Sequence, residues 1–170
     1  MPRLSRNRIA AGLVTLTLFA LVAAAQAATS GAIVSVHTSS LGKLLVNSHG
    51  RTLYLFQKDT VGKSNCSASC AAYWPPLLTS GKPRAGTGAA QSLLGTTKRA
   101  DGKLQVTYHG HPLYTFVLDT KAGQTKGEAL NKFGALWYVV SPSGTKIAKP
   151  SSGGGGYGGG GGYGGGGYGG

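Results

Sequence analysis

The 170-residue sequence predicts a mostly β fold, an antiparallel sandwich or small barrel made of two tandem, pseudo-symmetric β-meander units with short helical turns. Three observations predict it. Residues 42–60 (GKLLVNSHGRTLYLFQKDT) and 102–120 (GKLQVTYHGHPLYTFVLDT) align without a gap at an offset of sixty, with eleven of nineteen residues identical. Further on, Ala72-Tyr73-Trp74 matches Ala135-Leu136-Trp137, and Ser80-Gly81 matches Ser143-Gly144, at an offset of sixty-three. Within each copy, short apolar-alternating runs are separated by Gly-containing turns at strand-like spacing. The units are residues 31–81 and 92–144. Two copies are too few for an open solenoid, so they are expected to share one core.

The elements are taken in chain order. Residues 33–38 are rich in β-branched side chains and read as a strand. Ser40-Leu41-Gly42, and Ala100-Asp101-Gly102 in the second copy, break the run. Residues 43–48 and 103–108 then alternate, which puts Leu44 with Val46, and Leu104 with Val106, on one face. His49-Gly50 and His109-Gly110 read as two-residue hairpin turns, since histidine tolerates positive φ better than most residues. Residues 51–58 and 111–118 are third strands. Tyr54/Phe56 and Tyr114/Phe116 share a face there, with Leu53 and Leu113 opposite. Residues 136–141 suit a closing strand, and helical turns are expected at 67–73 and 128–133.

Outside the repeats lie two further segments. Arg3, Arg6 and Arg8 precede an uncharged apolar run over residues 9–25, followed by Ala25-Gln26-Ala27. A basic head, an apolar middle and an A-x-A exit describe a secretory signal peptide over residues 1–27, a retained anchor being the alternative. No second long apolar run exists, so the mature chain is not expected to span a membrane. Residues 28–150 make one β domain. Residues 151–170 are a disordered Gly/Tyr tail, with Tyr157, Tyr163 and Tyr168 between glycine runs. It reads as a spacer, or as a carrier of weak aromatic stickers.

Removing the signal leaves fourteen Lys/Arg against Asp59, Asp101, Asp119 and Glu128, a net charge near +10. Such a surface attracts polyanions. For an exported chain these are anionic envelope polymers or lipid head groups, and nucleic acid is not expected. A scattered, merely solubilising charge is the bland alternative.

The candidate chemistry is thin. Cys66 and Cys70 are the only cysteines, and outside the cytosol they suit a structural disulfide. A redox-active pair, or a soft-metal site with a histidine, remains open. His109 and His111 flank Gly110 and are the metal candidates, lacking an identified third ligand. Asp59 and Asp119 end equivalent strands and suit caps of the next turns, or partners of a tyrosine hydroxyl or lysine. Facing one cleft, they would instead make a hydrolytic carboxylate pair. Tyr73, Trp74, Trp137 and Tyr138 add aromatics, for the core or for a flat ligand. No nucleophile elbow, P-loop or H-E-x-x-H is present, and no cofactor is implied.

The paired segments Tyr54-x-Phe56-x-x-Asp59 and Tyr114-x-Phe116-x-x-Asp119 resemble the Tyr-x-aromatic-x-x-Asp motif of the bacterial "secreted repeat of unknown function" family, many of whose members are predicted lipoproteins. Gly50-Arg51-Thr52-Leu53-Tyr54, Ser64-Asn65-Cys66 through Cys70, Trp74-Pro75-Pro76-Leu77 and His111-Pro112-Leu113-Tyr114 add to the resemblance. It implies export and a tandem repeat, and no activity. This chain departs from the lipoproteins in having no acylatable cysteine after its signal. The expectation is a non-enzymatic exported protein, periplasmic, cell-surface or extracellular, that associates with an anionic envelope component. The alternative is a periplasmic redox or metal-handling protein using the cysteines and histidines.

Overall fold

Each repeat opens with a hairpin. In the computed structural model, which describes residues 31–148, β1 (Ile33–Ser39) and β2 (Gly42–Asn47) pair antiparallel from Val34↔Asn47 to Ser39↔Gly42. In the second repeat β5 (Leu94–Lys98) pairs with β6 (Leu104–Tyr108) in the same way. The segments read as a signal peptide (residues 1–27) and as a Gly/Tyr tail (residues 151–170) lie outside the described residues. The third strands are shorter than their alternation suggests. They comprise β3 (Tyr54–Phe56) in the first repeat and β7 (His111–Pro112) in the second. β4 (Arg84–Ala85) lies parallel to β1, and β8 (Asn131–Lys132) pairs with β9 (Ala135–Val139). The sheets run β2-β1-β4, β3-β9-β8 and β5-β6-β7, and none closes into a barrel. Among the described residues helix is confined to α1 (Ser69–Tyr73) and a 3-10 turn at Gln91–Leu93.

The repeats exchange their closing segments. β9, from the second repeat, pairs with β3 of the first through Tyr54↔Val139 and Phe56↔Trp137. Its continuation meets Leu45 and Leu53, since Leu45 N donates to Val140 O and Val140 N to Leu53 O. In the other direction Leu77 N donates to Leu113 O, and Val106 N to Leu77 O. Leu53 N→Leu45 O and Leu113 N→Val106 O complete two three-strand junctions of identical pattern.

Those junctions expose a register shift that the ungapped alignment conceals. Leu53 corresponds to Leu113, as the alignment has it, but Leu45 corresponds to Val106 rather than to Gln105. The second hairpin turn carries one extra residue, Arg99 N bonding Lys103 O around a three-residue loop where Ser39 pairs with Gly42 around two. The next turn is one residue shorter, so the totals agree again. A one-residue shift turns each side chain to the opposite face. Leu104 and Val106 do share a face, as period two requires, but it is the face of Leu45 rather than that of Leu44 and Val46. Leu104 is 39% exposed, although its sequence match Leu44 is 0% exposed. Gln105 takes the buried place of Leu44.

Two other expectations change. His109 (φ 50) and Gly110 (φ 81) form the two-residue turn between paired Tyr108 and His111. His49 has no positive φ; its turn spans three residues, and Asn47 Oδ1 accepts from the backbone N–H groups of His49 and Arg51. Residues 128–133 are not helical. Phe133 (φ 60) and Gly134 (φ 90) make a hairpin turn that folds β8 onto β9.

Side-chain alternation sorts the core into two clusters. One gathers Leu44, Tyr54, Phe56, Trp74, Tyr114, Phe116 and Trp137, and the other Leu45, Leu53, Val106, Tyr108 and Leu113. Both repeats contribute to each cluster, so neither repeat owns a core.

Candidate functional site

The two Tyr-x-aromatic-x-x-Asp segments meet back to back. Tyr54 and Tyr114 exchange both backbone hydrogen bonds, at 2.8 and 3.0 Å. Their side chains then cross to the other repeat. Tyr54 Oη donates to Asp119 Oδ2 at 2.5 Å, and Tyr114 Oη to Asp59 Oδ2 at 2.7 Å. The second oxygen of each carboxylate caps its own loop, Asp59 Oδ1 accepting from Asn65 N and Asp119 Oδ1 from Lys126 N. Each Asp thus serves as a turn cap and as the acceptor for the opposite tyrosine. Desolvation holds both carboxyl groups above the usual carboxylate range, against the lowering effect of these hydrogen bonds. Burial, and then the neighbouring carboxylate, push both tyrosine hydroxyls well above their ordinary value of 10. Both oxygens of each carboxylate thus already accept a hydrogen bond, and the phenols stay protonated at neutral pH.

Between the latches stands a column of four rings. Phe56 stacks on Trp137 at 4.1 Å, Trp137 on Trp74 at 3.9 Å, and Trp74 on Phe116 at 4.3 Å. Tyr54 and Tyr114 close on Trp74 and Trp137 edge-to-face. Stacked and T-shaped pairs match the aromatic quadrupoles. Of the two readings of these aromatics, core or flat-ligand platform, the column fits the core: its ring faces stack on one another, except at its Phe116 end. Gly127 completes the packing. Its N–H donates to Tyr54 Oη, and a Cβ there would stand 2.6 Å from the Trp74 ring.

Cys66 and Cys70 form a disulfide with a Cα–Cα distance of 5.3 Å, packed into the first cluster at 1% and 6% exposure. Beside it lies a residue that the sequence reading passed over. Buried Arg99, from the second repeat, donates Nη1 to Ser64 Oγ (2.9 Å) and Gln105 Oε1 (2.6 Å), and Nη2 to Cys66 O (2.7 Å). Ser64 Oγ lies 2.7 Å from Tyr114 Oη, so the guanidinium joins the disulfide loop to the latch. Gln105, a polar residue inside an apolar strand, was the available signal. His109 is exposed and His111 half-buried, and burial together with His109 lowers the pKa of His111. Among the described residues no three His, Cys, Asp or Glu side chains gather as a metal site.

The surface is strongly one-sided. Among the described residues eleven lysine and arginine residues are exposed, from Lys43 to Lys146, and Asp101 is the one exposed acid. The register shift adds an amphipathic patch. Leu104 and Leu78, each 39% exposed, flank a shallow surface bordered by Lys103, and Lys82 lies on the other side of Leu104. Lys98 pairs with Leu104 across the hairpin. At the Phe116 end of the column lies a cleft of about 300 Å³ lined by Tyr73, Trp74, Phe116, Leu118, Leu130, Lys132 and Phe133.

A model of the family described as a secreted repeat of unknown function matches residues 35–78 and again residues 95–141, more than half of the chain. No curated protein and no solved structure matches.

Proposed function

We propose, from the premise that the chain belongs to the family of secreted repeats of unknown function, that it is a non-enzymatic exported protein that binds an anionic component of the cell envelope. In this reading residues 1–27 are the signal peptide removed on export, residues 28–150 are the rigid head and residues 151–170 are a tail. The compartment is the periplasm, the cell surface or the medium just outside it. The carrying observation is the eleven-to-one ratio of exposed basic to exposed acidic residues among the described residues. Three of the four acids are half-buried or buried and accept hydrogen bonds inside the fold, Asp59 and Asp119 in the latches and Glu128 from Val139 N. Because the carboxylates are turned inward, the outer face presents a nearly unbalanced positive field. The leucine patch with Lys82, Lys98 and Lys103 suits an acidic head group over an apolar layer.

The mature protein is expected to co-sediment with phosphatidylglycerol-containing vesicles at 50 mM salt and to leave them by about 0.5 M, since exposed charges are screened over roughly 10 Å at 0.1 M. Lys82→Glu/Lys98→Glu/Lys103→Glu should weaken binding at least tenfold. Equal binding to uncharged phosphatidylcholine vesicles would overturn the reading.

The redox or metal alternative rests on Cys66, Cys70, His109 and His111. Against it stands the burial of both sulfur atoms in the core. Thiol reagents with mild reductant are expected to label neither cysteine in the folded protein and both after denaturation. Cys66→Ala/Cys70→Ala should cost about 2 kcal/mol, the chain-entropy value for so short a loop. Rapid labelling in the folded state would favour the redox reading.

A further inference from the structure

We propose that the chain's own Gly/Tyr tail docks in the cleft at the Phe116 end of the aromatic column, placing a tyrosine ring, Tyr157 first, between Leu118, Leu130 and Phe133. The cleft is apolar and open. Leu118 is 57% and Tyr73 56% exposed, with Phe133 and Val117 also in part bare. Its counterpart in the other repeat differs: where the second repeat has Val117-Leu118, the first has Gln57-Lys58. This end of the column therefore carries an apolar face that the fold itself leaves uncovered.

The path of the chain identifies the occupant. After β9 the chain turns and comes back antiparallel to it, with Val140 opposite Lys146 and Ile147 N donating to Val139 O. The backbone groups of Trp137 point to the same edge of β9 as those of Val139. There Trp137 N donates to Leu130 O and its carbonyl accepts from Ala129 N. Ile147 and Leu130 therefore sit on one edge of one strand, two residues apart along it, or about 7 Å. The chain runs toward Leu130, a wall of the cleft, as it leaves the described residues at 148.

Beyond that point the sequence continues with Lys149 to Ser152 and then only glycine and tyrosine. Tyr157 stands ten residues beyond Ile147, a root-mean-square span of roughly 16–19 Å for a Gly-rich linker of that length. The glycines on either side bring no side chain to obstruct entry. A tyrosine offers an apolar ring with a polar tip, and Lys132 at the rim can lie over its face. A short tether holds the tyrosine at an effective concentration in the millimolar range, so a contact too weak to form between molecules is populated within one.

The test uses the full mature chain with leucine methyl groups labelled with ¹³C. Cross-relaxation between tail tyrosine ring protons and the Leu118 and Leu130 methyls is expected, with those methyls shifted upfield. Both effects should disappear in Tyr157→Ser/Tyr163→Ser/Tyr168→Ser, which leaves the head unaltered, and in Leu118→Lys, which installs the residue of the first repeat. Methyl spectra that are the same with and without the tail tyrosines would overturn the proposal. So would cross-relaxation in a mixture of labelled and unlabelled copies, which would assign the cleft to a second molecule.

Discussion

Trp74→Ala is expected to lower the free energy of unfolding by about 3–5 kcal/mol, and Trp137→Ala by a similar amount. Both indoles are 0% exposed and they stack on each other at 3.9 Å with an interplanar angle of 3°. Each also stacks on a phenylalanine of the opposite repeat and receives a tyrosine edge, so truncation opens a cavity on three sides that the exchanged strands hold apart. Denaturant unfolding followed by far-ultraviolet circular dichroism measures the effect without relying on the indoles. The double substitution should cost less than the sum of the singles, because the stacking contact between them is removed only once. A loss below 1 kcal/mol for either single variant would show that the column does not hold the repeats together.

The second large effect is alkaline instability. Tyr54 and Tyr114 have hydroxyl pKa values raised far above 10 in the folded state. Above pH 10 the unfolded chain releases those protons while the folded chain keeps them. Stability present below pH 10 is therefore lost as the pH rises, by about 1.4 kcal/mol per pH unit for each tyrosine. Unfolding midpoints measured from pH 8 to 12 should be flat at first and then fall steeply. Tyr54→Phe/Tyr114→Phe should start from a lower plateau, with Asp59 and Asp119 deprived of their donors, and should remain flatter. A fall of equal steepness in the double variant would show that other groups govern it. In acid the sign is the same. The raised pKa values of Asp59 and Asp119 mean that the folded state binds their protons more tightly. These two groups favour the fold below the ordinary carboxylate range, and the gain fades as the pH rises through it.

The parts of this arrangement that were legible in the sequence are those that depend on period two. Tyr54 with Phe56, and Tyr114 with Phe116, fall in one cluster while Leu53 and Leu113 fall in the other. The short apolar runs and Gly turns suffice for the all-β class. The turn-capping reading of Asp59 and Asp119 was also available, since a carboxylate after a strand has nearby N–H groups to accept from. What the sequence could not show is which tyrosine each Asp meets, because that contact crosses from one repeat to the other. The register of β6 was hidden for a different reason. An extra residue in one turn and a missing one in the next cancel in any count of positions, so identity at Leu44 and Leu104 concealed opposite environments. Arg99 was overlooked because a lysine-rich chain makes one more cation look like surface, and its burial depends on Gln105, which the shift carries inward. Residues 128–133 misled because good helix formers can be overruled by a two-residue turn at Phe133-Gly134.

The reciprocal latch also bears on copy number. Every repeat carries a tyrosine in search of a carboxylate and a carboxylate in search of a tyrosine, and it finds neither in itself. Valence of this kind is satisfied in pairs. A chain cut to one repeat would have to borrow its complement from a neighbour, closing as a two-fold dimer. A chain extended to three would leave one repeat with an open half-site. Growth of such a protein by gene duplication should therefore favour even numbers.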